Sequence, residues 1–380
     1  MKAGIYLHVP FCKSRCSYCD FATDIYRSGA VVERYVNALC REISNFESRI
    51  PNPESTIETV YFGGGTPSLL TAGQLEKIIA AIHEKFAVEE NIEFTLEMNP
   101  ATVTLEKLRD FKSLGVNRAS FGVQTFNDKA LKLLARGHDA DDARKTFELL
   151  RRADFQNISF DLIGGLPGQT IADWENNLAE ALALNPEHLS LYLLEIHEGT
   201  PLAEQIRSRR QPVPDEDLAA EMYEMMVEKT AAKGFLQYEI SNFAHPGFES
   251  KHNSKYWLCE PVLAFGVSAH SFDGAARRWA NERDTNRYVG LIENGESPIV
   301  EKNELDDKQL SAEFAFLRLR LIKGLDIEDY KTRFGIDLTR RYAEEFEQLK
   351  SLELIVIEQD ILKLTKKGMV YSNEVFSVFV

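Results

Sequence analysis

Between residue 3 and about residue 195, short apolar runs alternate with longer amphipathic segments. The runs predict strands at 3–8, 57–62, 92–97, 117–122, 157–162 and 188–193, spaced widely enough for a helix between each pair. Those intervening segments carry the helical period. Tyr35, Val36, Leu39, Ile43 and Phe46 share one face, and Leu75, Ile78, Ile79, Ile82 and Phe86 share another. Thr71 followed by Gln74 reads as a capping box opening the second of these helices. Repeated β-then-α units predict a parallel sheet with right-handed crossovers. Six units make an α/β fold with a partial (βα)6 barrel rather than a closed eight-fold one. Ligands of such sheets sit at the C-terminal strand ends. Gly63 to Gly65, Glu97, Gln124 and Asp161 all fall at those ends and predict one functional rim.

The pattern changes after about residue 200. A helix is predicted at 215–233, followed by an irregular stretch at 238–280 rich in aromatics and histidine. Helical segments near 307–322, 326–334 and 338–351 then precede two short strands, 354–357 and 361–365, a winged-helix outline. The expected division is a barrel at 1–200, an α+β extension at 201–300 and a winged-helix-like domain at 301–380. A chain of 380 residues agrees, since single cores stop growing near roughly 250–300 residues.

Charge narrows the partners. The formal net charge is −15, and such a surface repels phosphate backbones, so no nucleic-acid partner is expected. The hairpin tip of the winged-helix outline, Glu358-Gln359-Asp360, is wrong for a phosphate contact. No run approaches the roughly 20 apolar residues that span a bilayer, and the start of the chain does not read as a signal peptide. Of five cysteines, three lie within eight residues and two stand alone, which suits metal ligation in a reducing cytoplasm better than a disulfide framework.

The cluster reads His8-Val-Pro-Phe-Cys12-Lys-Ser-Arg-Cys16-Ser-Tyr-Cys19. Thiolates select zinc or iron–sulfur clusters. A C-x3-C-x2-C loop can wrap three corners of a [4Fe–4S] cubane and leave the fourth iron open to a small chelate, such as the amino and carboxylate groups of S-adenosylmethionine (SAM). The alternative is structural zinc with His8 as fourth ligand. Zinc loops pair two knuckles or end in histidines, and no second knuckle exists here, so the cubane is favoured.

YLHVPFCKSRCSYCDF, YFGGGTPS, EMNP, FGVQTF and DLIGGLPGQT occur in that order over most of the chain. Together they resemble the radical-SAM family of oxygen-independent coproporphyrinogen III dehydrogenases (HemN) and their heme-chaperone relatives (HemW). The resemblance implies that Cys12, Cys16 and Cys19 hold the cluster. It implies that Tyr6 and the backbone near Tyr18 lie against SAM, and that Gly63, Gly64, Gly65 and Thr66 receive its methionine amino group. Glu97 matches a SAM-contacting carboxylate, and Gln124, Arg136 and Asp161 match positions used by the dehydrogenase for a second SAM. It further implies reductive cleavage of SAM to a 5′-deoxyadenosyl radical, and in some members a cluster-dependent homodimer.

Three features lean toward the chaperones. The dehydrogenase resembles C-x3-C-x2-C-x-C, whereas Phe21 stands at the fourth cysteine position here. The first strand begins within the first few residues, where the dehydrogenase has an added segment. His252-Asn-Ser-Lys-Tyr256-Trp257 matches the HNxxYW motif associated with the chaperones. Imidazole can ligate heme iron and aromatics can pack on a porphyrin. A loop anchored by Trp257, with His252 hydrogen-bonded to backbone, accounts for the same residues. His270 is a second histidine to consider. The expectation is a protein that carries the cluster, SAM and heme and passes heme to apo-hemoproteins, with coproporphyrinogen oxidation as the alternative.

Overall fold

The computed structural model describes residues 2–47 and 56–380. All six strands expected in the first half form: β1 (Lys2–Val9), β2 (Thr56–Gly64), β3 (Val88–Met98), β4 (Arg118–Gln124), β5 (Ile158–Gly164) and β6 (His188–Leu193). They pair in sequence order, all parallel. The crossovers carry α1 (Gly29–Asn45), α2 (Ala72–Lys85), α3 (Leu105–Ser113), α4 (Asp128–Leu133), α5 (Ala140–Arg152) and α6 (Ile171–Leu184). Thr71 and Gln74 form the reciprocal capping box at the start of α2.

Alternation along the strands decides what each face does. Ile5, Leu7, Phe62, Leu96, Phe121, Phe160 and Leu191 point outward and are fully buried beneath the helices, whose faces supply Val36, Leu39, Leu75 and Ile78. Strands buried on both faces usually read as continuous apolar runs. Here the inward row is Tyr6 and His8, Tyr61 and Gly63, Thr95 and Glu97, Ser120 and Gly122, and Asp161 and Ser190. The inside of the barrel is therefore a polar chamber.

The stretch 238–280 is more regular than the sequence suggested. After α7 (Pro201–Arg207) and α8 (Glu216–Ala231) come β7 (Leu236–Gln237), β8 (Asn242–Ala244), α9 (Lys251–Trp257), β9 (Val262–Phe265), β10 (His270–Phe272), β11 (Arg277–Asn281), α10 (Thr285–Glu293) and β12 (Ile299–Glu304). These strands extend the barrel sheet from both sides, in the order β12-β11-β10-β9-β1-β2-β3-β4-β5-β6-β8-β7. β9 pairs parallel to β1, and β8 pairs antiparallel to β6. Strands of two to six residues carry too little periodicity to be read locally; pairing against a preformed edge stabilises them.

The last segment has the winged-helix outline. It comprises α11 (Asp307–Leu319), α12 (Ile327–Phe334), α13 (Leu338–Arg341) and α14 (Ala343–Ser351), then β14 (Ile355–Glu358) and β15 (Ile361–Leu364), with β13 (Leu325–Asp326) pairing on β15. The single helix expected at 338–351 is broken at Tyr342. Gln359 and Asp360, both at positive φ, form the hairpin tip. Among the described residues, no helix is long and apolar enough to cross a membrane.

Candidate functional site

The cysteine loop leaves the C-terminal end of β1. Its base is closed where Phe11–Cys12 pairs in parallel with Asp24–Ile25. Ser17 fastens the middle of the loop, donating its amide to the Leu134 carbonyl at 2.9 Å and its hydroxyl to the Leu133 carbonyl at 3.0 Å. His8 is not positioned as a fourth zinc ligand: Nε2 lies 2.8 Å from the Ala22 carbonyl and Nδ1 3.2 Å from the Tyr6 hydroxyl.

A belt of hydrogen bonds joins two of the thiols. Arg136 donates Nη1 to Cys16 Sγ (3.4 Å) and to the Tyr18 hydroxyl (3.4 Å). Its Nη2 donates to Asn99 Oδ1 (2.6 Å) and to the Gly122 carbonyl (2.7 Å). Asn99 Nδ2 donates to Thr66 Oγ1 (2.7 Å), and Thr66 donates to Cys12 Sγ (3.6 Å). Burial pushes the Cys12 thiol up to about 11, against the pull of the Thr66 hydroxyl, so a thiolate there calls for a metal's positive charge. The donors aimed at Cys12 and Cys16 suit such thiolates. Arg136 Nε is buried without a partner, a donor left over for an arriving acceptor. This donor set fits a cluster with a chelating ligand beside it.

The glycine loop is shaped by what it must pass. Gly64 has φ +109°, and a Cβ there would lie 2.8 Å from the His8 ring. A Cβ on Gly65 would lie 2.7 Å from the backbone of Pro10, at the base of the cysteine loop. Glu97 stands beside the loop, accepting from the Tyr61 hydroxyl (2.7 Å) and the Gly64 amide (3.2 Å). Enclosure in the barrel raises its carboxyl to about 7. Tyr6 stacks on Tyr61 one layer below.

Gln124 ends β4 with φ +66°, beside a register shift between Gly122 and Gln124 that turns its side chain back over Gly122. Asp161 was expected at a strand end. It lies instead in the middle of β5, opposite Gly122 and Ser190, because β5 runs three residues further before its turn. Burial raises its carboxyl to about 6, despite hydrogen bonds from Ser190 and Ser120. Tyr6, Tyr18, Gly64, Gly65, Thr66, Glu97, Gln124 and Arg136 are thus grouped around the barrel end that carries the three cysteines, with Asp161 deeper in the chamber opposite Gly122.

Beside the cysteine loop the barrel mouth opens into a cavity of about 300 Å³, lined by Tyr6, His8, Phe21, Tyr256, His270 and Arg283 among others. Phe21 is 67% exposed there.

Comparison with known proteins shows the family and the fold. The model of the radical SAM superfamily matches residues 6–181, and that of the HemN C-terminal domain matches residues 305–371. The E. coli coproporphyrinogen III oxidase HemN superposes with a TM-score of 0.85, covering 99% of this chain and 89% of that one, at 22% identity, which shows a shared fold. The "Heme chaperone HemW" of Bacillus subtilis is 37% identical over 99% of this chain and 98% of its own length; that of Lactococcus lactis is 34% identical over 99% and 96%. The chain belongs to the HemW family. Membership of the radical SAM superfamily implies a [4Fe–4S] cluster and SAM.

The family's HNxxYW residues are not the loop that the sequence suggested. They form helix α9, which closes the floor of the barrel near the N-terminal end of β1, where Lys255 and His252 pack beside Gly4 and Lys255 donates to the Lys2 carbonyl. The buried Glu93 carboxylate accepts from the amides of Lys251 and His252, each at 3.0 Å. His252 is 1% exposed; its Nδ1 lies 2.9 Å from Thr59 Oγ1, its Nε2 3.3 Å from the Tyr256 hydroxyl, and its ring stacks on Tyr61. Burial holds the imidazole neutral, lowering it to about 3. In this arrangement His252 has no face open to a heme iron. It supports Tyr61, which holds Glu97, and Tyr256, which lines the mouth cavity. Lys255 is buried and held by Glu58 and Glu260, and Arg320 lies over the Trp257 ring.

Sequence reading missed Asn99 and Glu93 as site-building residues. Asn99 lay in the EMNP motif, but only tertiary structure brings it between Arg136 and Thr66. Glu93 had no local signal, because its partners lie 158 and 159 residues away.

Proposed function

We propose that this chain carries a [4Fe–4S] cluster on Cys12, Cys16 and Cys19, binds SAM at the open iron, holds heme as cargo and passes it to apo-hemoproteins. The observation that carries the cargo reading is the aromatic-walled mouth cavity next to the cysteine loop, with Phe21 and Tyr256 presented to solvent in a chain whose full-length relatives are named heme chaperones. SAM is assigned to Tyr6, the backbone at Tyr18, Gly64, Gly65, Thr66 and Glu97, with Gln124, Arg136 and Asp161 as further contacts. When bound, the cluster and SAM supply one-electron chemistry. The chain's own residues fix where these groups sit. The Thr66–Asn99–Arg136 belt holds the thiols, the glycine loop leaves room for the ligand's backbone-like end, and the barrel wall excludes water.

The test is an anaerobic heme titration of cluster-reconstituted protein, with coproporphyrinogen, SAM and reductant assayed on the same sample. A saturable heme spectrum without porphyrin product is expected. No saturable spectrum overturns the cargo reading, and steady porphyrin product makes the chain a dehydrogenase.

Glu97 makes SAM binding pH-dependent. Its folded value is raised, so in the empty protein stability falls as pH rises from the ordinary carboxylate range through about 7. SAM brings a positive sulfonium and favours the ionised form, so its affinity should rise roughly tenfold between pH 6 and pH 8. In Glu97→Gln the profile should flatten and binding should weaken. Isothermal titration of the reconstituted protein across that range decides it; an unchanged slope in the variant would remove Glu97 from the SAM site.

A further inference from the structure

We infer that His270 is the heme-iron ligand of the mouth cavity, with Phe21 and Tyr256 as its porphyrin walls and Arg283 as the partner of a propionate; this rests on the cargo reading above. Three chemical requirements of a heme site meet in one cavity: a free imidazole, aromatic surface and a cation within reach of a carboxylate.

The histidines are sorted by their surroundings. His8 is 5% exposed, with Nε2 against the Ala22 carbonyl and Nδ1 against the Tyr6 hydroxyl, and burial lowers its basicity. His252 is enclosed one floor below, with both ring nitrogens occupied. His270 lines the cavity and is exposed.

The backbone that presents His270 is held rigidly. It opens β10, paired with Ala280 of β11. The turn before it is pinned from α1, where the Glu42 carboxylate accepts from the Gly266 amide (2.8 Å), Asn281 Nδ2 (2.6 Å) and the Tyr288 hydroxyl (2.5 Å). Fixed ligands of this kind need little ordering when the metal arrives. The opposite wall comes from the cysteine loop, through Asp20, Phe21 and Ala22. Arg283 spans the two walls, donating to the Asp20 carbonyl at 3.2 Å and facing the Asp20 carboxylate at 3.8 Å, a loose exposed pair that a propionate can displace, while 68% of its side chain remains exposed. The geometry also gives Phe21 a task that a fourth cysteine could not perform, that of an apolar platform facing the iron ligand.

The experiment titrates heme into the reconstituted full chain and into His270→Ala, His252→Ala and Arg283→Glu, reading the Soret band and the axial-ligand signature by electron paramagnetic resonance. His270→Ala should lose the imidazole signature and weaken heme at least about tenfold, with both restored by added free imidazole. His252→Ala should weaken heme while keeping the signature, because it acts through Tyr256. Arg283→Glu should weaken heme but not its dimethyl ester, in which the propionates are blocked. An unchanged signature and affinity in His270→Ala, or loss of the signature in His252→Ala alone, overturns the assignment while leaving the cargo reading intact. Absence of saturable heme binding in the unaltered chain overturns both.

Discussion

Replacing Arg136 with alanine should leave the protein unable to retain its cluster. The guanidinium is buried and makes four hydrogen bonds, to Cys16 Sγ, the Tyr18 hydroxyl, Asn99 and the Gly122 carbonyl. Truncation strands these acceptors in a low-dielectric site and removes the cation that offsets thiolate charge beside Cys16. Breaking a buried charged network costs on the order of 3–5 kcal/mol, more than a surface ion pair by a wide margin. It also opens the belt that reaches Cys12 through Asn99 and Thr66. Iron and sulfide per chain after anaerobic reconstitution should fall below half of the unaltered protein, with a lower urea midpoint. Arg136→Lys keeps the charge without the planar fork, so it should fall between the two. Normal iron content in Arg136→Ala would mean that the three cysteines suffice and that the belt is incidental.

The second large effect is expected far from the cysteines. Glu93→Ala removes the carboxylate that caps α9 from inside the barrel floor. Two amides lose their acceptor, each at roughly 1–3 kcal/mol when the site is dry, and the helix loses a negative charge at its positive end. A loss of about 3 kcal/mol follows, measurable as a lower urea midpoint. Because α9 carries both His252 and Tyr256, its release should also loosen the mouth cavity and weaken heme by roughly tenfold, with the iron content unchanged. Stability lost without any change in heme affinity would show that floor and mouth are uncoupled. Glu93→Gln retains one acceptor oxygen and should recover part of the stability.

The contrast between these variants follows from the layering of the barrel. Arg136 acts at the C-terminal strand ends, where the cysteine loop, the glycine loop and Glu97 converge. Glu93 acts at the opposite end. The connection between them is a column of side chains: His252 stacked on Tyr61, Tyr61 bonded to Glu97, and Glu97 bonded to Gly64. The HNxxYW residues therefore bear on both ligand sites from below, without a direct contact to either cluster or iron being required of His252.

Much of this was determined by the sequence alone. Period-two and period-3.6 patterns are local, so the six parallel strands and their helices could be read from neighbouring residues, as could the capping box at Thr71. The cysteine spacing and the glycine run are likewise short motifs whose chemistry depends on residues a few positions apart. The tertiary structure decided whatever depends on distant pairs. It made sheet strands of the short segments between 236 and 304, because an existing edge stabilises strands too short to form alone. It placed Asp161 inside β5 rather than at its end, since strand length is set by pairing with β6. It turned the HNSKYW stretch into a helix that buries His252 and Lys255, because Glu93 supplies from a distant strand the acceptors that its first amides lack. It also enclosed His252 and left His270 open: a side chain's burial is fixed by elements packed on it from elsewhere in the chain, and no local pattern records them.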